Sequence, residues 1–138
     1  MLKFTQYVPY RTKRREEIML NVTVANIGEL AVVGCAGRLL RRESVDKLRE
    51  AVTAQTDARI VVLELSEVQA IGRGGLGMLV FLQCWAREHN IRFLLFHPSR
   101  AVEGQLRHAR SIADFYISSS AEMRALLAYA NSRCPQAA

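Results

Sequence analysis

A cluster of four glycines stands between an apolar strand-like segment and an apolar helix-like segment. The run Gly72-Arg73-Gly74-Gly75-Leu76-Gly77 formally satisfies the pattern G-x-G-x-x-G. Glycines let another backbone or a phosphate approach closely, and a helix N-terminus attracts anions through its free amide groups. The spacing is therefore compatible with a phosphate or nucleotide site, or with a flat surface for a partner protein. We expect the cluster to form a solvent-exposed loop with unusual backbone angles.

Three features weigh against the nucleotide hypothesis. The segment Ser66–Ile71 separates the predicted strand at 60–65 from the first glycine, whereas a dinucleotide turn is tight. His97, rather than an acidic residue, stands about twenty residues further on. The preceding segment, Asn21–Cys35, has the alternating pattern of a hairpin rather than of a parallel unit. Nucleotide binding therefore stays the weaker alternative.

No other residues form a recognisable catalytic or metal-binding pattern. No histidine lies near a candidate nucleophile, and no two carboxylates converge on a loop, which predicts that the protein is not an enzyme. The histidines lack the spacing of metal ligands and there is no C-x-x-C pair, which predicts neither metal nor cofactor. Three widely spaced cysteines are present, Cys35, Cys84 and Cys134. Two of them have strongly apolar surroundings, which predicts reduced core cysteines.

Composition and charge limit the class of protein further. The 138 residues, half of them hydrophobic, fit one globular domain. The N-terminus lacks the apolar core of a signal peptide and no run is long enough to span a bilayer, which predicts a cytoplasmic protein without membrane insertion. The net charge of +6 comes mostly from arginine, 16 of the 19 basic residues, and favours acidic partners. Since this charge is scattered over helix faces without interleaved aromatics, we predict no nucleic-acid binding.

The elements that position the glycine cluster follow from the hydrophobic patterns. Apolar alternation or apolar runs predict strands at Met19–Asn26, Leu30–Cys35, Ile60–Leu65, Ile91–Phe96 and Asp114–Ile117. Helical periodicity and caps predict helices at Ser44–Gln55, Leu76–His89, Ser99–Arg110 and after the capping box Ser119-Ser120-Ala121-Glu122. This order predicts an α/β fold, with a mixed sheet of four to five strands and about four helices packed against it.

Right-handed crossovers would bring the loops at 38–43, 69–75 and 97–100 to one end of that sheet. We therefore expect five arginines to crowd one rim: Arg38, Arg41, Arg42, Arg73 and Arg100.

The segment from Val68 onwards resembles the STAS family, the anti-sigma-factor antagonists of bacterial partner-switching systems. In that family a strand ends in a run such as Asp-Ser-Ser-Gly-Leu-Gly, and here Gly75-Leu76-Gly77 matches its last three positions. The helix, the strand Ile91–Phe96 and His97-Pro98-Ser99 continue the likeness, as does Asn21–Leu40 upstream. The resemblance covers about residues 18–130 and implies the STAS fold.

The departures from the family pattern concern its phosphorylation switch. The serine that such antagonists offer to an anti-sigma kinase falls on Gly74, and the acidic residue two positions earlier falls on Gly72. The common Gly-Glu-Leu-Asp run is Gly37-Arg38-Leu39-Leu40, again without its acids. Phosphorylation at the usual position is therefore chemically impossible here.

The resemblance implies a regulatory, partner-binding function. The implied partner is an anti-sigma factor with a kinase-like ATP-binding fold, bound through the glycine cluster and the following helix. Residues expected to contact it are Gly72, Arg73, Gly74, Gly75, Leu76, Arg38, Leu40, Arg41 and Ser44. The same surface would serve in the alternative, an accessory STAS subunit of a lipid-transport complex of the ABC type.

Three further expectations concern the ends of the chain and the exposure of the cluster. We expect a basic extension at 1–17, a STAS-like domain at 18–131 and a disordered tail at 132–138. An edge strand near the N-terminus would permit a weak homodimer. Because the cluster is expected to be exposed, Gly75→Glu is expected to abolish partner binding while leaving the fold intact.

Overall fold

The computed structural model describes residues 20–109 and 115–132, which form a five-stranded sheet and four helices. The strands are β1 (Asn21–Ile27), β2 (Leu30–Leu39), β3 (Ile60–Ile71), β4 (Arg92–Phe96) and β5 (Ile117–Ser118). The helices are α1 (Arg42–Thr53), α2 (Arg73–Glu88), α3 (Arg100–His108) and α4 (Ser120–Ser132). The predicted α/β class is confirmed. The predictions for 1–17, Met19, Arg110, Asp114, Cys134 and the tail beyond Ser132 lie outside the described residues.

The strands are arranged in chain order, β1-β2-β3-β4-β5. The first pair is antiparallel and the other three pairs are parallel. The predicted hairpin turn between β1 and β2 is confirmed, and Gly28 adopts a positive φ of 58° there. Glycine tolerates this left-handed conformation without the steric cost that a side chain would bring.

The sheet carries helices on both faces. Side chains such as Val33, Leu63 and Leu95 form the main core with α1, α2 and α3. The alternate residues of the same strands, such as Val62 and Leu94, pack against α4 on the other face. Because successive strand residues point to opposite faces and both faces are covered, β2 and β3 each begin with a run of apolar residues.

Two strands are longer than the sequence predicts. The prediction ended β2 at Cys35 and β3 at Leu65, but their parallel pairing continues to Leu39 opposite Ile71, with register shifts on the way. In the added half of β3, Val68 and Ile71 are buried. Polar residues between them hide this alternation in the sequence, and long-range pairing with β2, rather than local propensity, maintains the strand.

Two helices begin earlier than predicted. The first begins after Arg41, which is its N-cap, so the expectation that Ser44 caps this helix is wrong. The second begins at Arg73, directly after the N-cap Gly72, and not at Leu76. In both cases the strand before the helix extends almost to the helix, so the chain turns within a few residues. The glycines after Gly72 are therefore helical residues and not a loop.

The other predicted caps are confirmed. The Ser99 hydroxyl accepts a hydrogen bond from the Val102 amide at 3.4 Å. The capping box forms fully: the Glu122 amide donates to the Ser119 hydroxyl at 3.1 Å, and the Ser119 amide donates to the Glu122 carboxylate at 2.9 Å. Each contact satisfies an amide that the first turn of a helix leaves without a backbone partner.

Candidate protein-docking site

The C-terminal ends of β2 and β3 meet at one corner of the sheet. Leu39 is opposite Ile71 in the register, and the Gly72 amide donates to the Leu39 carbonyl at 3.2 Å. The first helix leaves this corner after β2 and the second leaves it after β3, and the two pack against each other. The topology thus places the N-termini of α1 and α2 side by side.

Gly75 is buried at this corner and is a packing residue. A Cβ atom on it would lie 2.7 Å from Ile71 Cγ1 and 2.9 Å from the Leu39 carbonyl oxygen. These separations are shorter than van der Waals contact, so only glycine lets α2 approach the end of β2 this closely. The expectation that Gly75→Glu leaves the fold intact is therefore wrong.

The backbone of the cluster is ordinary. Among the described residues, the glycines with positive φ are Gly28 and Gly37, and both lie outside the cluster. The expected unusual backbone angles are thus absent from the cluster itself. The glycines are selected here by close packing and by exposure rather than by backbone conformation.

Two other glycines of the cluster are exposed on the outer side of α2. A Cβ on Gly74 would meet only Val45 Cγ2, at 3.9 Å, and a Cβ on Gly77 would meet nothing within 4 Å. Phe81, which is 46% exposed, and the exposed Cys84 continue the same side of the helix. The spacing of three, four and three residues keeps all four on one helical face. We call these four residues the α2 outer face.

The α2 outer face continues onto the end of β2. Leu40 is 50% exposed, and its Cδ2 atom lies 3.3 Å from the position of a Cβ on Gly72. We call the α2 outer face together with Leu40 and Gly72 the docking surface. It is an exposed apolar strip with small residues at one end and a phenyl ring further along. Phe81 and Cys84 were not among the predicted contact residues, although their helical spacing from Gly74 indicates that they share its face.

Four of the five predicted rim arginines belong to segments that meet at this corner. Arg38 belongs to the end of β2, Arg41 and Arg42 to the start of α1, and Arg73 to the start of α2. All four are exposed, and none forms an ion pair within the described part of the chain. The N-termini of α1 and α2 carry positive partial charge, which adds to the charge of these arginines. The corner therefore has an excess of positive potential.

The fifth arginine, Arg100, is the first residue of α3 and follows β4. The preceding residue, Ser99, contacts β3 twice: its amide donates to the Leu65 carbonyl at 3.3 Å, and its hydroxyl donates to the Val68 carbonyl at 2.6 Å. Val68 precedes Ile71 by three residues, which is about 10 Å along a strand. That Arg100 joins the other four arginines at one rim stays a prediction.

The remaining predicted contact residues divide by exposure. Gly72 and Leu76 are half-buried, whereas Ser44 is 5% exposed and, like Gly75, supports the surface from below. Two other hydroxyls near the corner have structural partners. Ser66 Oγ donates to the Glu64 carboxylate at 2.9 Å, and Ser99 Oγ donates to the Val68 carbonyl at 2.6 Å.

The two described cysteines differ in exposure. Cys35 is buried in the main core as predicted, and burial, with a smaller contribution from Glu64, raises the pKa of its thiol to about 12. Cys84 is exposed on the α2 outer face, where a core position was expected. Helical phase explains the difference, because Leu79, Leu82 and Ala86 on the opposite side of α2 fill the core.

The structure changes part of the case against a nucleotide site. Because β3 continues to Ile71, the strand-to-helix turn is tight, and that objection to the nucleotide hypothesis is wrong. The antiparallel β1–β2 hairpin is confirmed. Dinucleotides bind where the strand order of a parallel sheet reverses, and the sequential order of this sheet has no such reversal. Nucleotide binding therefore remains the weaker alternative.

The described residues offer neither a metal-binding cluster nor a membrane-spanning helix. No group of three or more His, Cys, Asp or Glu side chains within residues 20–109 and 115–132 is placed to hold a metal ion. None of the helices in that part of the chain is long and apolar enough to cross a bilayer.

Comparison with solved structures identifies the fold. SpoIIAA, an anti-sigma factor antagonist in its unphosphorylated form, superposes with a TM-score of 0.65 at 12% identity, over 79% of this chain and 97% of its own. An anti-sigma factor antagonist from Mycobacterium paratuberculosis gives 0.61 at 18% identity, over 77% and 92%. SLC26A9 gives 0.61 at 16% identity, over 78% of this chain but 21% of its own. The sequence matches no family model and no curated protein.

These likenesses place the chain in a class of fold. It has the STAS fold of the anti-sigma-factor antagonists, as the sequence resemblance implied. The two antagonists are aligned over nearly their whole length, so this fold accounts for most of the described chain.

Proposed function

We propose that this protein is a non-enzymatic, cytoplasmic regulatory module that binds a partner protein through the docking surface and its rim arginines. The observation that carries the proposal is the combination of exposed Leu40 and Phe81 with four arginines at two helix N-termini that form no ion pair among the described residues. Apolar side chains at the centre and arginines at the rim are the composition that protein interfaces favour. The partner surface is therefore acidic with an apolar ridge, since opposite potentials steer association.

The resemblance to anti-sigma-factor antagonists suggests the partner: an anti-sigma factor with a kinase-like ATP-binding fold. In such a pair, phosphorylation would add charge of about −2 at the start of α2 and disrupt binding. Gly74 occupies that position, is exposed and has no hydroxyl, so this chain would bind without that switch.

A matched pair of variants tests the docking surface. Gly74→Glu places a charged side chain on the surface, and Gly104→Glu makes the same substitution in α3, where a Cβ would meet nothing within 4 Å. Both replace a helical glycine with a better helix former, so both are expected to fold. We expect wild type and Gly104→Glu to capture the same partner from native lysate. We expect Gly74→Glu to lose at least about tenfold in affinity.

The outcomes separate the proposal from its alternatives. Equal capture by both glutamate variants, with both folded, would reject this surface as the binding site. The identity of the captured protein, with and without ATP, separates the regulatory proposal from the second candidate, an accessory subunit of a transport complex. That candidate is favoured by one observation: the same fold forms a part of the much longer SLC26A9 chain.

A further inference from the structure

A cleft of about 650 Å³ lies at the other end of the sheet, where β3 and β4 begin. Twelve residues of β3 separate it from the docking surface, a distance of roughly 35 Å along the strand. The cleft is bounded by the β1–β2 turn, by the starts of the parallel strands and by the last turns of α4. It is thus a separate site, and its interpretation does not depend on the proposed partner.

The floor of the cleft is apolar. Leu30 and Ile60 contribute from neighbouring strands, and Leu126 and Ala130 contribute from α4. The turn is held against the helix at Gly28, where a Cβ would lie 3.2 Å from the Ala130 carbonyl oxygen. This close approach fixes the helix end relative to the hairpin, so the apolar floor is part of the folded structure.

The mouth of the cleft has an excess of positive charge. Arg59 and Arg92 both line it: Arg59 directly precedes β3, and Arg92 is the first residue of β4. Arg59 Nε lies 3.4 Å from the Glu29 carboxylate, which partly neutralises it. Arg92 interacts electrostatically with Glu122 but forms no ion pair within the described part of the chain. One guanidinium is therefore available to a ligand, next to apolar surface.

We propose that this cleft binds an amphipathic monoanion, a molecule with an apolar chain or ring and a single carboxylate or phosphate head. The volume lies within the usual range of small-molecule sites, about 300–1,000 Å³. The apolar body would cover Leu30, Ile60 and Leu126, and the head would pair with Arg92, since guanidinium groups bind carboxylates and phosphates in a bidentate geometry. A neutral apolar ligand leaves the guanidinium without a partner, and a polyanion leaves the floor uncovered.

Calorimetric titration of the full-length chain tests this proposal, with decanoate below its micelle concentration as the probe and decanol as its neutral counterpart. We expect saturable binding of decanoate and binding of decanol at least about tenfold weaker, the loss of one charge-assisted contact. Decyl phosphate in a third arm distinguishes a carboxylate from a phosphate head.

Arginine variants locate the site. We expect Arg92→Gln to weaken decanoate binding about tenfold and Arg92→Lys to restore only part of it, because the lysine keeps the charge but not the bidentate geometry. Arg49→Gln is the control, since Arg49 is an exposed arginine of α1 that pairs with Asp46 at 3.9 Å and does not line the cleft. Both positions are exposed, so all three variants should fold.

Three results would overturn the proposal: no saturable binding of either decanoate or decyl phosphate, equal affinity for decanol, or unchanged binding by Arg92→Gln. None of these would affect the proposed docking surface, which the glutamate variants test separately.

Discussion

Replacing Gly75 with alanine tests the inference that close packing, and not partner contact, selects this glycine. The added Cβ would lie 2.7 Å from Ile71 Cγ1 and 2.9 Å from the Leu39 carbonyl oxygen. A side chain can shift, but the carbonyl belongs to the paired end of β2 and cannot move without disturbing the sheet. Overpacking of this kind costs about 1–3 kcal/mol of unfolding free energy.

The alanine substitution also has a favourable effect, which a matched variant removes. Alanine is about 1 kcal/mol better than glycine inside a helix. Gly77 lies in the same helix, and a Cβ there would meet nothing within 4 Å. We expect Gly77→Ala to gain up to about 1 kcal/mol and Gly75→Ala to lose about 0–2 kcal/mol. The difference between the two variants isolates the packing cost.

Equilibrium unfolding in urea, fitted with a common m-value, measures this difference. The inference requires Gly75→Ala to be less stable than Gly77→Ala by about 1–3 kcal/mol. If the two variants unfold at the same urea concentration, or if Gly75→Ala is the more stable, the close approach of α2 to β2 does not determine the residue at position 75.

Two further predictions concern buried polar chemistry. Since burial raises the Cys35 pKa from 9.0 to about 12, the unfolded chain loses this proton at lower pH than the native one. The unfolding free energy should therefore fall as pH rises above about 9, by up to about 1.4 kcal/mol per pH unit. In Cys35→Ala this fall should be shallower. An identical slope in both proteins would contradict the raised pKa of Cys35. Ser99→Ala removes both the bond to the Val68 carbonyl and the cap of α3. We expect Ser99→Ala to lower the unfolding free energy, measured in urea, by about 1–2 kcal/mol. Ser66→Ala, which removes only the hydroxyl contact with Glu64, should lower it less. Equal losses in the two variants would count against the structural role of Ser99.

Local chemistry explains which elements the sequence predicted correctly. The capping box at Ser119 and Glu122 forms as predicted because its partners are three residues apart, and the Ser99 cap works over a similarly short span. Asn90, just after α2, adopts the left-handed conformation with φ of 59°, which asparagine tolerates better than most residues. Each of these depends on contacts within a few residues, which the order of residues alone specifies.

The residues that sequence reasoning misplaced depend on distant partners. The second half of β3 reads as a polar loop, and it is a strand because β2 pairs with it over Ala36–Leu39. That extension also makes Gly72 the N-cap of α2. A register between segments thirty residues apart cannot be derived from local propensity.

The sequence by itself determined the α/β class, the caps of α3 and α4, and the absence of a hydroxyl where the related antagonists have their serine. Only the tertiary structure decided which glycine of the cluster is buried and which are exposed, because Leu39 and Ile71 approach Gly75 from two different strands. It also decided that Arg59 and Arg92 share a cleft with α4, since parallel pairing of β3 with β4 aligns their first residues. Burial and charge clustering are properties of the packed chain, and they arise from contacts that the order of residues does not display.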